Sequence, residues 1–293
     1  MRIAFILCDA LRYDYYEKYM SGVREYAAEN VEYTNCNSMG PNTLSSLRGL
    51  LRSGDTYSPD DNMIRTLQKW GYLTTLIHSN PMLYTFYIFD KHLDVFKEEY
   101  GSMISWVKKN YRKSQAWKII RRAIQSDDYN RAENMLNFSK EYIETTPDDS
   151  LTWIHLMDTH IPWRPVTLNE FTTEKEYGRI QRKLSSSGWK CILSEEEEKL
   201  IRILYAEEVK YLDRHLSKFV SELEVDLVII TADHGDLLGE YGRYSHNQLF
   251  VSELLHVPLI IKNGSKFQDH RQVDHRMLNK FILGSACARR LIQ

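Results

Sequence analysis

The chain has 293 residues and a nearly balanced charge, with 38 basic and 40 acidic side chains and a formal net charge of −2. This length suits one large α/β domain or a domain with a small appendage. The charge excludes a general polyanion binder, so we expect no nucleic-acid binding. The four cysteines are widely spaced without a Cys-x-x-Cys pair, which excludes a zinc knuckle. No apolar run approaches the ~18 residues of a membrane span and a strand begins at once, so we expect a cytoplasmic protein without a signal peptide.

The first predicted strand covers residues 2–7, a short apolar run that is followed by Cys8 and Asp9. Such a run is typical of a buried parallel strand, and here it delivers an acid at its carboxyl end. Open α/β sheets bind their ligands at that edge, which makes Asp9 a candidate site residue. A helix is predicted next, over residues 12–29.

A polar loop precedes the second predicted helix, over residues 44–52. Pro41 and Asn42 mark the loop, and Thr43 stands where an N-cap residue would start the helix. One interpretation is simply a Thr-capped amphipathic helix. The other places the Thr43 hydroxyl where a bound metal could lower its pKa and make it a nucleophile. Arg48, one turn further, either lies on a solvated face or reaches an anion.

The middle of the chain combines a regular α/β pattern with a basic segment. A helix over residues 60–70 and a strand over residues 72–77 are predicted, and the strand ends at His78. Residues 101–125 then carry seven basic side chains and no acid, with aromatic residues between them. We predict a helical insert at about residues 101–148, whose basic face either meets solvent or attracts an anionic polymer, a lipid headgroup or a membrane surface.

Two later strands are predicted over residues 151–156 and 227–230, and each releases polar side chains at its end. The side chains that follow them are Asp158, His160, Asp233 and His234. A carboxylate beside an imidazole suits Zn²⁺ or Mn²⁺. An Asp-His-Gly sequence alone could also form a simple turn.

The alternation of strands and helices predicts the fold class. Besides those given above, helices are predicted over residues 131–144 and 195–223. This order implies an α/β fold with a mostly parallel central sheet and helices on both faces. We expect one catalytic domain over residues 1–275, which includes the insert, and a short helical tail over residues 276–293.

In chain order, these segments resemble the sulfatase and alkaline phosphatase superfamily. The matching parts are the strand before Asp9 and Arg12, the Thr43 loop, residues 158–163, residues 205–213, residues 231–235 and residues 242–261. The resemblance implies that superfamily's three-layer α/β sandwich.

The resemblance also implies a site. One divalent metal, Zn or Mn, would be shared by Asp9, Thr43, Asp233 and His234. Thr43 would be the nucleophile, and His160 and His246 would be catalytic and substrate-binding, with His160 protonating the leaving oxygen. Arg48 and Asp158 complete the expected substrate contacts. A second metal, held by Asp158, His160 and His246, is left open.

Thr43 departs from the formylglycine sulfatases, whose Cys/Ser-x-Pro-x-Arg signature is oxidised to an aldehyde. Thr43 is followed by no proline, and Arg48 comes one place late. A direct Thr nucleophile is the pattern of the phosphodiesterase, phosphatase and phosphoglycerol-transferase branches. Cys8 stands where many sulfatases have a further acid, and the loss of that oxygen ligand argues against Ca²⁺.

We therefore expect a metal-dependent hydrolase or transferase that acts on a phosphate ester or diester. The substrate would be an anionic ester on a glycan, a lipid headgroup or a nucleotide-linked group. A sulfuric ester hydrolase of the same fold is the first alternative, and a non-catalytic relative that binds an anionic glycan is the second. The oligomeric state is left open.

Overall fold

The computed structural model describes the parts of the chain before and after the basic segment of residues 101–125. The described residues are 1–52, 55–58, 60–80, 83, 95–98, 130–186, 192–246, 249–263 and 272–290. Residues 101–125, for which the sequence predicts either a solvated basic face or contact with an anionic polymer, a lipid headgroup or a membrane surface, lie outside the described residues, as does most of the predicted insert.

The described strands form two sheets. They are β1 (Arg2–Cys8), β2 (Val31–Glu32), β3 (Cys36–Asn37), β4 (Leu73–His78), β5 (Val95–Glu98), β6 (Ser150–Leu156), β7 (Leu227–Ala232), β8 (His256–Val257), β9 (Leu259–Lys262) and β10 (Val273–Asp274). Among these residues, the main sheet has seven strands in the order β2-β9-β7-β1-β6-β4-β5, and β10, β3 and β8 form a small sheet. Strands β7, β1, β6, β4 and β5 run parallel, whereas β9 is antiparallel to β7 and to β2.

The central strands are apolar on both faces because helices cover both sides of a parallel sheet. Residues 3–8 are buried, and the Phe5 ring meets the Trp153 ring edge to face at a centroid distance of 4.9 Å. In the registers of the three central strands, Cys8 pairs with both Leu156 and Ala232. The residues that follow these strands therefore leave the sheet at one edge, side by side.

The described helices flank the main sheet in two groups. They are α1 (Tyr13–Tyr19), α2 (Ser21–Ala28), α3 (Thr43–Leu51), α4 (Met63–Lys69), α5 (Ala132–Glu144), α6 (Leu168–Phe171), α7 (Glu174–Ser186), α8 (Glu195–Glu222), α9 (Ser252–Leu255) and α10 (His275–Arg290). Helix α8 packs against α1, α2 and α5, and α10 packs against α3 and α4. The predicted α/β class, with a mostly parallel sheet between helices, is confirmed.

The predicted helix over residues 12–29 is in fact two helices. Met20, with φ −104° and ψ 62°, breaks it between α1 and α2. The Asp213 carboxylate on α8 accepts hydrogen bonds from the N–H groups of Gly22 and Val23, at 3.0 and 2.7 Å. This acid gives the first turn of α2 a partner from another helix, which no local pattern in residues 12–29 could indicate.

Helix α8 is the long helix that the acidic run at its start predicts. Ser194 and Glu197 form a reciprocal capping box, and four acids occupy the first turn at the positive end of the helix dipole. Within the described ranges, no helix is both long enough and apolar enough to cross a membrane. Helix α10 begins at His275 and packs on α3 and α4; the boundary between domain and tail stays a prediction.

Candidate functional site

Asp9 and Asp233 meet where β1 and β7 end. Both are fully buried. Between them lies Ala10, whose φ of 60° turns the chain as soon as β1 ends. The N–H of Ala10 donates to Asp233 Oδ1 at 3.1 Å, and its carbonyl accepts the Tyr205 hydroxyl at 2.8 Å. The left-handed backbone, which costs a non-glycine residue about 1–2 kcal/mol, thus fixes one carboxylate relative to the other.

Thr43 is the first residue of α3, and Asn42 is the N-cap, which corrects the N-cap expected for Thr43. The Asn42 side-chain oxygen accepts the Ser45 N–H at 3.0 Å. Because Asn42 satisfies the helix start, the Thr43 hydroxyl is left for another contact. That hydroxyl lies 3.2 Å from His234 Nε2.

The His234 ring is held in one tautomer. Its Nδ1 lies 2.7 Å from the Gly235 carbonyl oxygen, and a carbonyl can only accept, so Nδ1 carries the proton. Burial, and secondarily the nearby His246, lowers the pKa of His234 to about 3. The ring is therefore neutral, with the lone pair of Nε2 directed toward Thr43.

Gly235 lets this turn pack against another loop. A Cβ built at Gly235 would lie 2.0 Å from the Glu253 carbonyl oxygen and 3.0 Å from Arg12 Cγ. The Gly235 N–H also donates to the Leu254 carbonyl at 2.9 Å. A side chain at this position would therefore push the His234 turn away from the α9 segment.

Three side-chain oxygen atoms lie close to His234 Nε2. His234 Nε2 lies 3.2 Å from Thr43 Oγ1, 3.5 Å from Asp233 Oδ2 and 3.6 Å from Asp9 Oδ1. Both of these carboxylate oxygens are buried without a hydrogen-bond partner among the described residues. Ligands of a tetrahedral zinc, at ~2.0–2.1 Å from the metal, lie roughly 3.3 Å apart. The four predicted metal ligands are thus brought together at a spacing that fits a divalent metal.

The charges at this point also fit a cation. Burial, and then the negative charge of Asp9, raises the pKa of Asp233 well above its usual value. Burial alone would raise the pKa of Asp9 too, but His160, and then the hydrogen bond and charge of His155, lower it below the usual range. Oxygen atoms of the two buried carboxylates lie within 4.8 Å of one another. They repel when both are ionised, and a divalent cation would relieve that repulsion.

His155 and Asn80 also hold Asp9, and neither is among the site residues predicted from the sequence. Asp9 Oδ2 accepts from His155 Nε2 at 2.9 Å and from Asn80 Nδ2 at 3.1 Å. Asp9, His155 and Asp233 also offer ligand atoms within 4.8 Å of one another. Since the bond to Asp9 occupies His155 Nε2, we treat His155 as a residue that orients Asp9. The available signal was a fully buried histidine inside the apolar strand β6.

His160 and His246 lie beside this cluster. The His246 ring centroid is 4.5 Å from that of His234 and 5.0 Å from that of His160. Burial lowers the pKa of His160. Burial alone would also lower the pKa of His246, but the nearby Asp236 carboxylate raises it. Asp236 Oδ1 lies 3.7 Å from His246 Nδ1, and the sequence analysis did not name Asp236.

Asp158 and Arg48 are placed differently from the other predicted site residues. The Asp158 carboxylate accepts the Ala132 N–H, and Arg131 Nε lies 3.0 Å from its Oδ1. Of the three residues predicted for a second metal, His160 and His246 therefore lie beside His234, whereas the Asp158 carboxylate is bound to Ala132 and Arg131. Arg48 is exposed on α3, outside the buried cluster. Substrate contacts of Asp158 and Arg48 stay predictions.

The family model described as Sulfatase matches residues 13–285. No curated protein matches the chain in sequence. Several solved structures match in fold. The integral membrane lipooligosaccharide phosphoethanolamine transferase A from Neisseria meningitidis is 16% identical with a TM-score of 0.69, over 97% of this chain and 54% of that chain. This chain thus spans about half the length of that transferase.

Two further structures share the fold. The C-terminal periplasmic domain of EptC from Escherichia coli, in complex with Zn, is 14% identical with a TM-score of 0.66, over 95% of this chain and 80% of that chain. The phosphonate monoester hydrolase from Silicibacter pomeroyi is 19% identical with a TM-score of 0.62, over 98% and 73%. The Sulfatase family model matches nearly the whole chain, and the solved structures share the fold that brings Asp9 and His234 to one edge of the sheet. The chain therefore belongs to the sulfatase family of the alkaline phosphatase superfamily.

Proposed function

We propose that the protein is a metal-dependent enzyme that transfers the phosphoryl group of a phosphate ester or diester through Thr43. The observation that carries this proposal is the approach of His234 Nε2 to Thr43 Oγ1, Asp233 Oδ2 and Asp9 Oδ1, all within 3.6 Å. Fold neighbours named as a phosphoethanolamine transferase and a phosphonate monoester hydrolase support chemistry at phosphorus. The substrate class is an anionic phosphate ester on a lipid headgroup, a glycan or a nucleotide-linked group.

One divalent metal, Zn or Mn, would be held by Asp9, Asp233, His234 and Thr43. Two carboxylates, a hydroxyl and an imidazole suit either ion, and the Zn-bound EptC domain supports zinc. Bound there, the metal would lower the pKa of the Thr43 hydroxyl and withdraw charge from a phosphoryl oxygen.

The reaction proceeds in two balanced steps. The Thr43 oxygen, after losing its proton to solvent, attacks phosphorus; the Thr43 Oγ1–P bond forms as the bond from phosphorus to the leaving oxygen breaks. The leaving oxygen takes a proton from His160. In the second step water, or an acceptor hydroxyl, gives a proton to His160 as its oxygen attacks the same phosphorus; the Thr43 Oγ1–P bond breaks, and the Thr43 oxygen takes up a proton from solvent. Water makes the enzyme a hydrolase, and an acceptor hydroxyl makes it a transferase.

His160 and His246 serve the substrate side of this proposal. The His246 ring lies beside the other two histidine rings, with its centroid 4.5 Å from that of His234 and 5.0 Å from that of His160. In the proposal His160 donates the proton to the leaving oxygen. The Asp236 carboxylate, which raises the pKa of His246, favours a cationic His246 that binds a phosphoryl oxygen.

The test is hydrolysis of bis(p-nitrophenyl) phosphate and of p-nitrophenyl sulfate by the purified protein, beside its metal content. Thr43→Ala should abolish phosphodiester turnover, and its metal content should not exceed the near one ion per chain of the wild type. Thr43→Ser should keep a fraction of the activity. Ser46→Ala removes a buried hydroxyl from the same helix and is the matched control. Turnover of the sulfate more than tenfold faster than the diester would instead support the sulfatase alternative. Near two ions per chain would add a second metal at His160 and His246.

A further inference from the structure

Arg131 lies in a cluster of charged side chains that is separate from the four-atom metal cluster. By the four-atom metal cluster we mean the proposed ligand atoms Asp9 Oδ1, Thr43 Oγ1, Asp233 Oδ2 and His234 Nε2. Its Nη1 and Nη2 groups donate to Glu208 Oε1 and Oε2 at 3.0 and 2.6 Å, and its Nε lies 3.0 Å from Asp158 Oδ1. The guanidinium carbon also lies 4.1 Å from the centre of the Tyr211 ring. Two carboxylates and an aromatic face therefore surround the guanidinium, with hydrogen bonds to Glu208 and an ion pair without hydrogen-bond geometry to Asp158.

Both carboxylates of this cluster are buried, with side chains only 1% exposed. Burial raises the pKa of Asp158 and raises that of Glu208 to about 7, and in both cases Arg131 opposes the shift. A buried carboxylate is costly unless it is paired. Arg131 is the cation that contacts both carboxylates, while the Arg164 backbone N–H also bonds Glu208 and His215 also lowers the pKa of Asp158.

The cluster joins three elements. Arg131 precedes the first turn of α5, Glu208 lies on α8, and Asp158 lies in the loop that follows β6. The Ala132 N–H, at the start of α5, donates to both oxygens of Asp158 at 3.2 and 3.0 Å. The Asp158 carboxylate is consequently fixed from one side by the helix start and from the other by Arg131.

The loop that contains Asp158 also presents His160. The His160 N–H donates to the Met157 carbonyl at 3.0 Å, which closes a turn around Asp158. Next to it, the Thr159 hydroxyl donates to the Asp9 carbonyl at 2.6 Å. The turn is thus held at Asp158 by the ion cluster and at Thr159 by the end of β1, and His160 Nδ1 also lies 2.5 Å from the Ile161 carbonyl oxygen. Together these contacts set where the His160 ring lies.

The same helix also anchors the loop after β1. The Tyr205 hydroxyl bridges the Ala10 carbonyl and the Arg12 N–H, at 2.8 and 2.9 Å. Tyr205 and Glu208 are three residues apart, so both side chains project from one face of α8. This placement gives the Tyr-Ala-Glu-Glu sequence of residues 205–208 a physical role, because one helix face then fixes the two loops that form the site.

We propose that Arg131, held by Glu208, is a positioning residue that orients His160 through Asp158. The proposal rests on the proposed function, in which His160 protonates the leaving oxygen. Loss of the guanidinium would free the Asp158 turn and displace the His160 ring, while the four-atom metal cluster keeps its own contacts. The expected defect is therefore in leaving-group protonation and not in metal binding.

Leaving-group dependence separates this role from a purely structural one. Methyl p-nitrophenyl phosphate releases a stable anion that needs no proton, whereas methyl phenyl phosphate releases a more basic oxygen that does. A less stable enzyme would lose both activities by the same factor. Arg131→Met should lower kcat on methyl phenyl phosphate at least tenfold and on methyl p-nitrophenyl phosphate less than threefold, with unchanged metal content.

The comparison set makes the outcome decisive. Arg131→Lys and Glu208→Gln keep part of the cluster and should show the same selectivity to a smaller degree, so they replace Arg131→Met if it does not fold. Lys140→Met removes the exposed Lys140–Glu222 pair, which also joins α5 to α8, and should alter neither activity. His160→Asn must reproduce the selectivity of Arg131→Met.

Three results discriminate between the two proposals. Equal losses on both substrates in the Arg131 and Glu208 variants, with His160→Asn still selective, would overturn the positioning role alone. Equal losses in His160→Asn as well would overturn the acid role of His160 and the positioning role with it. Loss of diester turnover in Thr43→Ala would still support the proposed function in either case.

Discussion

Thr43 and His234 are 191 positions apart in the chain, and their side chains meet at 3.2 Å between Oγ1 and Nε2. The contact depends on two local features. Asn42 caps α3 and leaves the Thr43 hydroxyl available, and the Gly235 carbonyl holds the proton of His234 on Nδ1. The pair therefore presents a hydroxyl and a lone pair side by side, as the proposed metal site requires.

The first prediction concerns Asp233, a proposed metal ligand. Asp233→Asn should reduce the affinity for Zn²⁺ at least tenfold, because it removes one of the two charges that attract the cation. Titration of metal-free protein with Zn²⁺ would measure the change. Asp226→Asn alters an acid at the other end of the same strand, where it accepts the Arg2 N–H, and should leave the affinity unchanged. Equal affinities in the wild type and Asp233→Asn would remove Asp233 from the ligand set.

The second prediction concerns His155, which holds Asp9 Oδ2. His155→Ala should lower Zn²⁺ affinity by about 10–100-fold, the effect that is typical of a residue that orients a metal ligand. The same titration would detect it. His215→Ala, on helix α8, is the control. A complete loss of binding, as large as that in Asp233→Asn, would instead indicate that His155 is itself a ligand.

The third prediction uses two glycines that differ in their surroundings. Gly235→Ala places a methyl group against the Glu253 carbonyl and should destabilise the fold by roughly 1–3 kcal/mol. It should also weaken metal binding, because the His234 turn must move. Gly284→Ala adds a methyl group where no atom lies within 4 Å, in helix α10, and should be neutral or stabilising by up to about 1 kcal/mol. Chemical denaturation would compare the two, and equal effects would contradict the close-packing argument.

The fourth prediction concerns pH and Glu208. Burial raises its pKa from 4.5 to about 7 in the folded protein. The folded state therefore binds the proton more tightly than the unfolded state, and this stabilisation is complete below pH 4.5 and lost as pH rises through 7. Glu208→Gln cannot titrate. The free energy of unfolding of the wild type, minus that of Glu208→Gln, should fall by roughly 3 kcal/mol across this range.

Denaturation with urea at several pH values would test that fall. The Lys140→Met variant keeps Glu208 and loses an exposed ion pair, so its difference from the wild type serves as the reference for general pH effects. A wild-type minus Glu208→Gln difference that is flat or rises with pH would show that Arg131 keeps Glu208 ionised throughout.

Much of the sheet and part of the site can be predicted from the sequence, because both depend on local patterns. The apolar runs before Asp9 and Asp233 identify buried parallel strands, and parallel strands bring their carboxyl ends to one edge. The approach of Thr43 to this edge required the resemblance to a known family. The roles of these residues stay predictions, although the structure places their side chains together.

The supporting residues could not be predicted in the same way. His155 and Asn80 meet Asp9 across 146 and 71 positions of the chain, and no periodicity in either segment indicates that contact. The break at Met20 depends on Asp213, which lies on another helix. Tertiary contacts decide these features, so only the folded structure shows them.

The register of the three central strands has a consequence for folding. A shift of one residue in a β-strand sends each side chain to the opposite face. If β7 slipped by one place against β1, Ala232 would no longer pair with Cys8, and the Asp233 carboxylate would be displaced from Asp9. A cation that needs both carboxylates binds the correctly paired sheet and not the slipped one. Its binding free energy would then favour the native pairing over misaligned alternatives during refolding.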